Sequence, residues 1–114
     1  MMQQFDSLVA RLQRQQGVVG VMLVGIEDGM VIAGDAGQGR NSDTAAALAA
    51  SLFRRTMRAA SDAGLGEATF VRLEADRGHM CATARGDVVI VTVASNGINL
   101  GRLRLEMLGA AEML

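Results

Sequence analysis

Apolar positions in this chain follow two rhythms, one helical and one extended, and the rhythm changes at glycines and turn residues. Phe5, Leu8, Val9 and Leu12 recur at i, i+3, i+4 and i+7, which predicts a first helix with Arg11, Arg14 and several Gln outward and Gly17 as its stop. Val18 to Ile26 is apolar on both parities, and so is Val88 to Ala94 apart from Thr92. Strands of that kind need cover on both faces, so these two predict a central pair. Asp28-Gly29 predicts a two-residue hairpin that returns Met30 to Ala33 as a short edge strand, followed by a glycine-rich loop from Gly34 to Gly39.

Asn41, Ser42 and Asp43 offer capping side chains for a long helix through about Ala63, ended by Gly64. At roughly 100° per residue its apolar residues sweep about 200° of arc, more than one sheet can cover, while Arg54, Arg58, Ser51, Asp62 and Arg55 fill the remainder. We assign the surplus edge, Ala46, Ala50, Phe53 and Met57, to a second protein surface, because small residues there flank two bulky anchors. Thr69 to Ala75 alternates, with Val71 and Leu73 on one face and Phe70, Arg72 and Glu74 on the other, which predicts a half-exposed strand. Turns at Asp76-Arg77-Gly78 and Arg85-Gly86-Asp87 then join it to His79–Arg85 and Val88–Ala94 as a meander. Asn99 stands at an N-cap, and Leu100, Leu103, Met107 and Ala111 form the stripe of a last helix. The expected architecture is α+β: one domain over 1–114, a single five-stranded antiparallel sheet in the order 2-1-5-4-3, sandwiched by helices. The first and last helices share one face, and the middle helix covers the other.

The chain has 114 residues, no Pro, one Cys and 3% aromatic residues, so its core must be built from Val, Leu, Ile, Met and Ala. No apolar run approaches the roughly 20 residues that cross a bilayer, and no basic segment leads into an apolar stretch at the N-terminus. Those features and the lone cysteine predict a cytoplasmic protein with no membrane insertion. The 11 cationic residues are all Arg and are scattered over a chain of net charge -1, which argues against a nucleic-acid partner. Without Lys there is neither a Walker-type phosphate ligand nor a Schiff base.

His79 and Cys81 point to one face of a strand, as a metal or thiol–imidazole pair would, but no other His or Cys completes a site, and packing explains them. The loop Gly34–Asn41 precedes a helix, yet its spacing fits neither the dinucleotide nor the Walker fingerprint, so it reads as a connection. Arg85-Gly86-Asp87 reads as a turn, and Asp28, Asp35, Asp76 and Asp87 all fall in turns or loops, where a short carboxylate bonds local backbone. The eight Met are assigned to core filling. These readings predict no catalytic residues, no metal and no cofactor.

Asn99-Leu100-Gly101 followed by Arg102-Leu103-Arg104-Leu105, together with Gly17-Val18-Val19-Gly20-Val21 leading to Asp28-Gly29, resembles the roadblock / dynein light chain family over essentially the whole chain. The resemblance implies the profilin- or longin-like sandwich of that family and a homodimer made by the middle helix and the third strand. In its bacterial members it implies control of a small Ras-like GTPase, by a chain with no active site of its own. On that reading Ala46, Ala50, Phe53 and Met57 join Phe70, Arg72, Leu73 and Glu74 in the dimer interface. Arg72 would then face Glu74 of the second copy, and Arg54, Arg55 and Arg58 would form part of the GTPase contact. The alternative is a structural adaptor that assembles other signalling partners or binds a small ligand.

Overall fold

Two asparagines and a run of glycines set the element boundaries. The computed structural model describes residues 2–114, without the side chain of Met2. Helix α1 spans Met2–Gln13, strand β1 Val18–Gly25, β2 Val31–Asp35, helix α2 Ser42–Asp62, β3 Val71–Ala75, β4 Gly78–Arg85, β5 Val88–Ala94 and helix α3 Leu100–Ala111. Asn41 Oδ1 accepts a hydrogen bond from the Thr44 amide at 3.0 Å, and Asn99 Oδ1 accepts one from the Arg102 amide at 3.0 Å, so each satisfies an amide that its helix leaves orphaned. At the other end of α2 the Leu65 amide reaches back to the Ala60 carbonyl and the Gly64 amide to that of Ser61, a Schellman turn made possible by the positive φ of Gly64.

The sheet is antiparallel throughout in the order β2-β1-β5-β4-β3, as the apolar patterning predicts. Its two faces close over separate cores. Leu8, Leu12, Leu23, Ile90, Leu103 and Met107 form the core under α1 and α3, while Met22, Val24, Val91, Ala46, Ala50 and Phe53 form the core under α2. This division is why β1 and β5 lack alternation: every residue from Val21 to Val24 and from Val89 to Thr92 is buried, one parity on each side. Arg11 ties the first layer together through Glu106 of α3, at 3.4 Å.

The first hairpin differs from the expected two-residue turn. The Gly25 amide bonds the Met30 carbonyl at 2.9 Å, so four residues, Ile26 to Gly29, make the loop, and β2 begins at Val31 and runs to Asp35. Asp28 Oδ1 accepts from the Met30 amide and closes the loop locally, while Ile26 leaves the strand to bury its side chain under α2. Met30, expected in the strand, is exposed. Of the other methionines, Met22 and Met107 fill the cores, Met57 and Met80 pack at the rim of the α2 core, and Met113 is exposed.

Gly34 shows why the edge strand carries a glycine before its last residue. Its φ is +81°, and a Cβ there would collide with the Val21 carbonyl of the neighbouring strand. Gly34→Ala is expected to destabilise the fold by at least about 2 kcal/mol, read as a lower urea midpoint at an unchanged slope. A midpoint equal to that of the parent chain would show that the strand end can move aside.

Candidate interaction surface

Helix α2 determines what the α2 side of the molecule presents. Its alanines bring the helix backbone close to the sheet, and the stripe that goes down is Ala46, Ala49, Ala50 and Phe53, each no more than 1% exposed. Ala46, Ala50 and Phe53, expected on a second protein surface, are therefore core residues of this chain, and Met57 packs half-buried against the same cluster. One edge of α2 rests on the first hairpin. There Gly29 lies against Ala47, and the Arg54 guanidinium donates to the Ile26 carbonyl at 2.6 Å. The opposite edge carries Leu48, 63% exposed, with half-buried Ala45, Leu52 and Thr56. The helix surplus in apolar arc exists, but it lies on this edge.

The sheet carries a second set of exposed apolar positions. Helix α2 lies over β2, β1, β5 and β4, leaving Leu73 of β3 41% exposed beside half-buried Val71, Met80 and Val93. Among the described residues strand β3 pairs only with β4, so its outer row of amides and carbonyls has no strand partner there. Arg72 and Glu74 project from the opposite face of β3. They bond one another along the strand at 3.3 Å while remaining largely exposed, a pair that contributes at most about 1 kcal/mol. Phe70 turns to the α1/α3 side, where the Arg104 guanidinium stands 5.6 Å from its ring centre, a cation–π contact.

The three arginines of the α2 outer arc are not equivalent. Arg55 and Arg58 are exposed, whereas Arg54 is held by the hairpin carbonyls. Arg54→Ala is expected to destabilise the chain by about 1–2 kcal/mol through the loss of charge-assisted bonds to backbone. Arg55→Ala with Arg58→Ala should leave thermal unfolding within about 0.5 kcal/mol of the parent. Equal melting of both variants and the parent would make the Arg54 contact energetically silent.

His79 and Cys81 share the α1/α3 side of β4 but make no bond to each other. His79 is buried, with Nδ1 lacking a hydrogen-bond partner among the described residues, and Cys81 packs in the core. Burial pushes the Cys81 thiol above its ordinary pKa, and the Thr92 hydroxyl and Arg72 charge only partly oppose this, so a reactive thiolate is disfavoured. Among the described residues no three His, Cys, Asp or Glu side chains converge as metal ligands. No helix of the described residues is long and apolar enough to cross a membrane.

Known proteins resemble this chain in sequence and in fold. The sequence model of the Roadblock/LC7 domain matches residues 4–95. The uncharacterized protein MJ1340 of Methanocaldococcus jannaschii is 28% identical over 109 residues, which cover 96% of this chain and 95% of that protein. Among solved structures, Myxococcus xanthus MglB superposes with a TM-score of 0.85 at 24% identity, covering 97% of this chain and 84% of that one. The gliding protein mglB from Thermus thermophilus gives 0.86 at 21% identity, covering 98% and 86%. At these identities the structural likeness establishes the fold, and the sheet order and three helices agree with it.

Proposed function

Because the chain belongs to the Roadblock/LC7 family, we propose that it acts as a non-catalytic homodimeric regulator of a small Ras-like GTPase. The observations that carry this reading are the exposed Leu48 and half-buried Leu52 of α2, the exposed Leu73 paired with half-buried Met80 on the sheet, and the outer edge of β3, which pairs with no other described strand. Two copies joined antiparallel through β3 would extend the sheet across a two-fold axis and bring the two Leu48 edges together. An interface of standard size, about 1,600 Å² in total, suits a stable dimer. At the centre of that pairing Arg72 and Glu74 of one copy meet those of the other. Their present bond along the strand can then be exchanged for cross-strand pairs, which select the register while the leucines supply the affinity.

Such a dimer would display two α2 helices side by side, each with Arg55 and Arg58 in solvent. This paired basic surface is the proposed contact for the GTPase, and Arg54 serves the hairpin instead. Regulation requires unequal affinity for the two nucleotide states, since a partner that binds both alike shifts no equilibrium. The test is capture from native extract in excess GTP and in excess GDP, with any Ras-like GTPase identified by its Walker-type loop. Preferential capture of that GTPase in one nucleotide supports the reading. Capture that is equal in both nucleotides, or that yields only other proteins, favours a structural adaptor.

A further inference from the structure

On the side of the molecule away from α2, the turn between α1 and β1 and the loop between β5 and α3 enclose a groove of about 840 Å³. That volume lies within the range of about 300–1,000 Å³ typical of small-molecule sites. Its walls carry Arg14 and Arg102, with Gln16 and Ser95 as further polar groups and Ile98 and Leu103 as an apolar floor. No Asp or Glu lines it, although the chain as a whole has net charge -1. Both arginines are exposed, and neither joins a carboxylate among the described residues. The two walls are fixed to each other by backbone, the Ser95 amide donating to the Gly17 carbonyl at 2.8 Å.

We infer that this groove binds a small phosphomonoester, its phosphate held between Arg14 and Arg102 and its apolar portion set against Ile98. A guanidinium matches two phosphate oxygens in its plane, and two unpaired guanidinium groups across a concave wall with no competing carboxylate favour a dianion over a neutral or cationic ligand. The site uses none of the residues assigned to the dimer or to the GTPase contact, so it stands independently of that reading.

The test is a nitrogen-15 amide titration at constant ionic strength with adenosine monophosphate, with adenosine as the uncharged arm. A parallel arm measures sedimentation with phosphatidylcholine vesicles containing phosphatidic acid. Saturable shifts of Gly17, Gly97 and Arg102 with adenosine monophosphate but not adenosine are expected. Arg14→Gln with Arg102→Gln should weaken them about tenfold while thermal unfolding stays unchanged. Vesicle binding lost in the same variant, without response to the nucleotide, assigns the phosphomonoester to a lipid headgroup. The inference is overturned by an absence of response in both arms, by equal shifts with adenosine, or by unaltered binding in the double variant.

Discussion

Phe53→Asp is expected to leave no folded protein. The ring is 1% exposed at the centre of the core between α2 and the sheet, packed among Met22, Val91, Ala46 and Ala50. Removing an aromatic side chain from such a site costs about 3–5 kcal/mol, and a carboxylate left there unpaired adds several more. Together these are comparable to the roughly 5–15 kcal/mol that holds an ordinary domain folded. Circular dichroism should show loss of cooperative unfolding, and expression should yield aggregate. A well-folded, soluble monomer would instead mean that Phe53 can leave the core and that the interior edge of α2 is an interface.

Leu48→Asp is expected to do the opposite: a folded subunit that no longer associates. Leu48 has little to lose within its own chain, being 63% exposed on a helix whose other face is fully packed. In the proposed dimer its side chain is desolvated against the second copy, where a lone carboxylate weakens association about a hundredfold or more. Light scattering after size exclusion at micromolar concentration should change from twice the chain mass of 11.9 kDa to that mass itself. The far-UV spectrum and melting temperature should stay those of a folded subunit. Retention of a dimer with unchanged dilution behaviour would remove the Leu48 edge from the interface.

These two substitutions also mark where the sequence is legible. The order of the sheet follows from apolar parity, because only strands covered on both sides can carry the runs Val21–Val24 and Val89–Val91. The caps at Asn41 and Asn99 are equally local, each a side chain bonding an amide three residues on. The azimuth of α2 is a different matter. A helical wheel gives the width of an apolar arc but not which part of it meets the sheet, and hydropathy favours burying Leu48 and Leu52 over alanines. Close approach decides otherwise: Ala46, Ala49 and Ala50 let the helix settle onto the strands around Phe53, and the leucines remain at the rim. Arg54 escapes sequence reasoning for a related reason, since its partners are carbonyls 27 and 28 positions away that only the folded hairpin brings within reach. The hairpin itself is ambiguous in sequence because Asp28-Gly29 is compatible with both a two- and a four-residue loop, and the burial of Ile26 selects the longer one.

Whether two copies act as one platform for a Ras-like GTPase is decided most directly by the mass of the complex. The chain and a purified Ras-like GTPase from the same cell would be mixed and analysed by light scattering after size exclusion, once with a non-hydrolysable GTP analogue and once with GDP. The expected result is a complex containing two copies of this chain in one nucleotide state and little or none in the other. A complex containing a single copy, or the same mass distribution in both nucleotides, would refute the dimeric platform.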